Sequence, residues 1–232
     1  MKRFYENVAV VPVAGGLTVE LDGRSVRTPR KTAFAVAAEA LAEAIADEWR
    51  RQGEDIDPES MPLLRLANTA LDLVAGQRGA VVDNLASYGG TDLLCYRAAE
   101  PADLVQRQKQ LWEPWLTWAK AEYGAGLTAT NGVGHVAQDE AALAALHRAV
   151  DGHDVMELAA MNDLVTIAGS LVLALAVSAG ALDVPAAWAA VRLDNDYQAE
   201  RWGQDAEAEA HAVRLRGEFE NAARFLDLHR AG

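Results

Sequence analysis

The stretch VAVVPVAGGLTVELDGRSVRTP, residues 8–29, decides the first part of the fold. Val8, Val10 and Val11 run to the pair Gly15-Gly16, and beyond it Leu17, Val19 and Leu21 alternate with polar neighbours, which is the two-residue period of a strand with one buried face. Asp22-Gly23 is a dipeptide favoured in two-residue hairpin turns, where both positions need positive φ. Val26, Thr28 and Phe34 continue the pattern, so residues 4–36 are predicted to form a small antiparallel meander.

From about residue 37 the period becomes helical. Leu41, Ile45 and Trp49 are spaced by four in an alanine-rich run, and Gly53 is the expected stop. Asp57 before Pro58 reads as an N-cap with proline at the first helical position, and Leu63, Leu66, Ala67 and Leu71 mark the buried face that follows. Further helices are expected at about 77–88, 101–123, 139–150, 155–179 and 185–228, the last interrupted at Gly203 and Gly217. The fold class expected is therefore α+β: a small N-terminal antiparallel β module, residues 1–36, followed by a larger all-α helical domain, residues 37–232, with the boundary near 36–55. No internal repeat or low-complexity linker interrupts it.

A chain of 232 residues, 51% hydrophobic and 24% charged, is long enough to bury a real core. Its net charge of -13 is the wrong sign for a general nucleic-acid binder, whose affinity for phosphate comes from basic side chains. The charge is uneven, +3 over residues 1–31 and -16 over the other 201. A single cysteine, Cys95, allows no internal disulfide, and no leader pattern opens the chain; a reducing compartment, the bacterial cytoplasm, is expected, as a soluble monomer.

Residues 164–182 hold no charge over 19 positions, close to the length of a membrane-crossing helix. Thr166, Gly169, Ser170, Ser178 and Gly180 dilute the run, and Asp163 and Asp183 flank it with no basic residue nearby to orient it. A helix buried on all sides by its own protein is expected, with no membrane insertion.

Catalytic patterns fail one by one. Gly132-Val133-Gly134-His135-Val136-Ala137 fits the short form of the dinucleotide fingerprint, but that motif works by setting a helix N-terminus against a pyrophosphate after a buried strand, and Leu127–Asn131 is short and polar. Asp194-Asn195-Asp196 opens like a calcium loop, yet Ala199 stands where the turn needs glycine and Asp205 where glutamate is expected. His135, His147, His153, His211 and His229 show no zinc spacing. No catalytic residue, metal or cofactor is expected. Trp112, Trp115 and Trp118, spaced by three, are expected to pack in the core around Pro114 rather than to form an exposed strip.

Several blocks nevertheless point to one family. Arg3-Phe4-Tyr5, Leu21-Asp22-Gly23-Arg24, Val26-Arg27-Thr28-Pro29, Leu41-Ala42, Glu48-Trp49 and Gln52-Gly53 are followed in order by Met61-Pro62, Leu66-Ala67-Asn68-Thr69-Ala70-Leu71-Asp72, Tyr88, and Asp92-Leu93-Leu94-Cys95-Tyr96-Arg97. Gly169-Ser170, Leu173-Ala174, Asp196, Gln198 and Trp202-Gly203 complete the series. The chain resembles the ATP-twelve family, assembly chaperones that attend the alpha subunit of the soluble catalytic sector of ATP synthase in mitochondria and alphaproteobacteria. The resemblance implies binding without catalysis: the unassembled alpha subunit is held until the beta subunit replaces it. It implies the cytoplasm for a bacterial member and the mitochondrial matrix for eukaryotic relatives.

The same resemblance implies an important acidic residue just after Trp202-Gly203. Asp205, Glu207 and Glu209 follow, while Ala206 occupies the place where mitochondrial members carry glutamate, so the role falls on Asp205 or Glu207. On a continuous helix Asp205 and Glu209 would share a face and Glu200 and Glu207 would nearly align, an acidic stripe able to capture basic side chains of a client. The candidate client-binding residues are thus Glu200, Trp202, Gly203, Asp205, Glu207 and Glu209. Two other readings stay open, a small-molecule enzyme using the Gly132-Gly134 loop and a helical interaction module of another assembly pathway.

Overall fold

The computed structural model describes residues 1–132 and 134–231. The expected meander is present: β1 (Val8–Val13) pairs antiparallel with β2 (Gly16–Leu21), Val8 opposite Leu21 and Val13 opposite Gly16, and β2 pairs with β3 (Arg24–Ser25). Asp22 and Gly23 take φ of 48° and 77°, the geometry that matches a two-residue turn to the twist of its strands. Leu17 and Val36 exchange backbone hydrogen bonds of 2.8 and 2.9 Å, which folds the chain after β3 back along β2.

The buried face of β2, Val19 and Leu21, packs on α1 (Glu39–Arg50), whose Leu41, Ile45 and Trp49 are buried at the predicted spacing of four. Burial of each such side chain stabilises by about 1.5–3 kcal/mol. Asp57 does cap a turn, accepting from the Glu59 N–H, but that turn is a single 3-10 segment, Pro58–Ser60; the helix itself, α2 (Pro62–Asp72), starts four residues later at a second proline.

α3 (Arg78–Ser87), α4 (Ala102–Tyr123) and α5 (Glu140–Asp151) fall where the periodicity put them. The helix expected at 155–179 is two: α6 (Val155–Ala168) ends at Gly169, φ 61°, and α7 (Leu171–Ser178) restarts with Ser170 accepting from the Leu173 N–H. α8 (Val184–Trp202) and α9 (Ala206–Arg230) are separated at Gly203 as expected, but Gly217 lies inside α9. An interior glycine costs a helix about 1 kcal/mol, and buried Phe219, Ala222, Phe225 and Leu226 just beyond it outweigh that. One element in the second part was unforeseen, a two-residue parallel ladder of β4 (Tyr96–Arg97) and β5 (Thr130–Asn131).

The α+β class therefore holds. By contacts the described chain forms two compact units, one of residues 1–78, 154–160 and the end of α9 from Asn221, the other of residues 79–153 and 161–220. In the first, the sheet lies on α1, which packs in turn on α2; residues 1–36 are its proposed β-rich module. In the second, α7 is buried along its whole length and packs against α4 and α8. This accounts for the uncharged run, and no described helix is long and apolar enough to cross a membrane.

Candidate functional site

In the second unit, α4 and α8 are held together by a polar layer. The Trp112 indole N–H, fully buried, donates to the Ala190 carbonyl at 2.9 Å, and the Gln108 amide donates to Asp194 at 2.8 Å. At the N-terminal end of α4, Asp103 accepts from the Tyr197 hydroxyl at 2.9 Å and pairs with Arg201, while Arg107 pairs with Glu200 at 2.8 Å. Arg107 and Arg201 both lie over the Tyr197 ring, at 5.3 and 4.8 Å from its centre. The Tyr197 hydroxyl, and then Arg201, hold the Asp103 carboxyl below the usual carboxylate range.

That layer brings α8 to a rigid end, and there the chain turns a corner. Gly203 takes φ 93°, α8 stops, and α9 starts after Asp205, whose Oδ1 accepts from the backbone N–H groups of Glu207 at 2.8 Å and Ala208 at 3.3 Å. Residues 201–211 are all exposed, and Trp202 is 77% exposed, far more than an indole ordinarily is. A shallow cavity of about 230 Å³ lies under the corner, lined by Arg192, Gln198, Trp202, Asp205 and Glu209 among others.

Of the six candidate residues, Trp202, Gly203, Asp205 and Glu209 line this cavity, and the six do not form a single helical stripe. Glu200 belongs to α8 and is paired with Arg107; Glu209 belongs to α9 and lies 3.8 Å from Arg192; Asp205 is an N-cap rather than part of a helix face. Glu207, in the first turn of α9, is exposed and has no ion pair among the described residues.

The other motifs resolve into scaffold. Val133 of the glycine loop lies outside the described residues; β5 ends just before the loop and no helix opens on it, α5 beginning only at Glu140. Asp194, Asn195 and Asp196 sit inside α8, not in a loop. Among the described residues no cluster of His, Cys, Asp and Glu is arranged to hold a metal. Cys95 is buried, and burial pushes its thiol up to about 12, an inert state. Trp112 is core as expected, while Trp115 and Trp118 are half-buried and meet edge to face, Trp118 also meeting Tyr123 edge to face.

Two buried carboxylates had no role in the sequence reading. Glu48 is 2% exposed and caps α2, accepting from the N–H groups of Leu63 and Leu64 at 2.8 Å each. Asp92 is fully buried and does the same for α7, accepting from the Val172 N–H at 3.0 Å, the Leu94 N–H at 3.1 Å and the Ser170 hydroxyl at 2.7 Å. Burial raises both carboxyls, that of Asp92 to about 6.

A rigid helical scaffold that presents an exposed indole and acids, with its buried carboxylates spent on helix caps, defines a protein-binding module. The comparisons with known proteins make that class specific. The ATP12 chaperone protein family matches residues 2–120. Crystal structures of Atp12 from Paracoccus denitrificans, one of them a mutant with an aspartate changed to lysine, match at 46% identity over 99% of this chain and 98% of theirs, with a TM-score of 0.96. A chaperone candidate from Agrobacterium tumefaciens matches at 41% identity over 97% of this chain and 85% of its own, TM-score 0.93. Protein atp12, mitochondrial, of Schizosaccharomyces pombe is 25% identical over 214 residues, 87% of this chain and 74% of its own. The chain belongs to the ATP12 chaperone family. It is accordingly a chaperone of ATP synthase assembly and not an enzyme.

Proposed function

We propose that this protein holds the unassembled alpha subunit of the ATP synthase catalytic sector and keeps it from aggregating until the beta subunit takes its place. The observation that carries the reading is the exposed corner between α8 and α9, where Trp202 is 77% exposed and Glu207 has no ion pair among the described residues. An orphan subunit displays apolar surface that its neighbour later covers, and masking that surface lowers the population able to aggregate. Trp202 is the anchor: an indole buries roughly 150–250 Å² on docking, worth about 4–6 kcal/mol at about 25 cal/mol per Å². The acids act on basic side chains of the client, adding association rate and selectivity more than affinity.

Within that site Gly203 sets the turn, Asp205 holds the start of α9, Glu207 meets the client, and Glu200 and Glu209 add to the negative field while paired with Arg107 and Arg192. Release follows from competition by the beta subunit for the same surface, so no ATPase activity of the chaperone is required. The protein works as a monomer in the bacterial cytoplasm, the counterpart of the mitochondrial matrix for its eukaryotic relatives.

The test is co-elution of the purified protein with isolated alpha and beta subunits. The alpha subunit is expected to co-elute and stay soluble, and added beta to displace the chaperone; an alpha subunit that neither binds nor gains solubility overturns the proposal. Trp202→Ala and Glu207→Lys are each expected to weaken co-elution. Normal binding by both would overturn the site while leaving the function.

A further inference from the structure

The histidines show no metal spacing, but one of them closes a contact in the first compact unit, where the last turn of α9 meets the first turn of α6. α6 opens with a reciprocal cap. Asp154 Oδ1 accepts from the N–H groups of Met156 at 2.8 Å and Glu157 at 2.9 Å, and Glu157 Oε2 accepts from the Asp154 N–H at 3.0 Å. Each carboxylate has one oxygen left over, and α9 takes both. Asp154 Oδ2 faces His229 Nε2 at 2.7 Å, and Glu157 Oε1 accepts from Arg230 Nε at 2.6 Å.

The placement suits charge on both sides. Acids in the first turn of α6 offset the partial positive charge of that helix end, and bases in the last turn of α9 offset the partial negative charge of theirs. His229 and Glu157 are the well-covered members, with side chains 11% and 15% exposed. The His229 ring stacks on that of buried Phe225, and its Nδ1 is buried with no hydrogen-bond partner, so the ring is held through Nε2. The charged groups that act on it are Asp154 and Glu157 from the start of α6 and Arg230 from its own helix. Of the four side chains, the imidazole is the one whose charge changes near neutral pH, since a guanidinium keeps its proton and the carboxylates have lost theirs.

We infer that these four side chains form a proton-operated latch: with His229 protonated the end of α9 is fastened to the start of α6, and loss of that proton loosens it while the reciprocal cap of α6 stays closed. The neutral ring still donates to Asp154 through Nε2, but the attraction between unlike charges is gone. Asp154 holds the His229 pKa above its ordinary 6.5, burial of the ring acting against it. A group raised in this way contributes stability that is complete below 6.5 and is lost as pH rises through the folded value, so the latch is shut in mildly acidic solution and loosens on the alkaline side. The device lies apart from the corner at Trp202 and does not depend on the choice of client.

The test is an NMR titration of the isotope-labelled full chain from about pH 5.5 to about pH 9, following the His229 ring signal, assigned by its loss in His229→Gln, together with hydrogen exchange of the backbone amides of residues 226–230. The ring is expected to titrate with a midpoint above 6.5. Protection of those amides, corrected for the intrinsic pH dependence of exchange, should fall about fivefold through that midpoint, the least that a contact pair of unit charges contributes. His229→Gln, which donates but cannot charge, should show the loosened protection at every pH. Asp154→Asn keeps an oxygen to cap α6 and should bring the midpoint down to 6.5 or below. A wild-type midpoint at or below 6.5, or protection that does not change through it, overturns the latch, and both are read without any variant. The same fall in His229→Gln, or a midpoint that Asp154→Asn leaves in place, overturns it as well.

Discussion

Asp92 gives the sharpest test of how the second unit is held together. Its carboxyl is fully buried and raised to about 6 from an ordinary value of 3.8, chiefly because burial disfavours the charge, against which the Val172 N–H, the Ser170 hydroxyl and the Leu94 N–H act. In the folded protein it holds its proton up to about pH 6, whereas in the unfolded chain it loses it near 4, so between those values the folded state binds more protons. Its contribution to stability is therefore fully present below the unfolded value and is lost as pH rises through the folded one. The difference of about two pH units corresponds to about 3 kcal/mol, of which about 2 kcal/mol falls between pH 4.5 and 7.5. Asp92→Asn, which keeps the shape and cannot titrate, removes this dependence. Urea unfolding of both proteins across that range, at low concentration because the pI of about 4.8 lies within it, is expected to show the wild type losing about 2 kcal/mol relative to the variant as pH rises. A difference that stays constant within about 0.5 kcal/mol would refute the reasoning, since Asp92 would then be ionised as readily folded as unfolded.

Glu48→Ala leaves the Leu63 and Leu64 N–H groups buried without acceptors and should cost about 2–4 kcal/mol in urea unfolding, Glu48→Gln less because one acceptor remains. Gly16→Ala should cost about 2 kcal/mol or more, because the new methyl would stand 2.3 Å from the Val36 carbonyl oxygen; at Gly15, where the same methyl meets nothing within 4 Å, the cost should be about 1 kcal/mol. Asp205→Ala should destabilise α9 by about 1 kcal/mol by removing its cap, while Asp205→Asn keeps the acceptor and leaves stability nearly unchanged. Loss of alpha-subunit binding in the asparagine variant would then report the charge alone.

What was legible in the sequence was whatever neighbouring residues decide. The alternation at Leu17, Val19 and Leu21, the Asp22-Gly23 turn and the spacing of Leu41, Ile45 and Trp49 are local, and they gave the sheet and its first helix. The break between α6 and α7 is not local. Its cap comes from Asp92, 78 residues before Ser170 and 80 before Val172, so a long apolar run read as one helix. At the corner the break at Gly203 is legible, but the signal just beyond it was missed: Asp205 followed by Glu207 and Glu209 is a helix start with acids in its first turn. Reading 200–209 as continuous put Asp205 on a face, when its carboxylate is occupied by the backbone of α9.

The blocks that carry the family resemblance turn out to hold one another. The Tyr5 hydroxyl reaches the Trp49 carbonyl at 2.7 Å, Thr28 donates to Asp72 at 2.6 Å, and Asp92 meets Ser170 at 2.7 Å. These are buried or half-buried polar contacts between distant segments, and removing one partner strands the other, which penalises substitution of either. Such blocks specify a scaffold, and for that reason they identify the fold without identifying the binding surface. One block stays out of this network: Trp202, whose indole is left in water. We therefore expect the partner of that indole to come from outside the scaffold, and the client is the source that a chaperone provides.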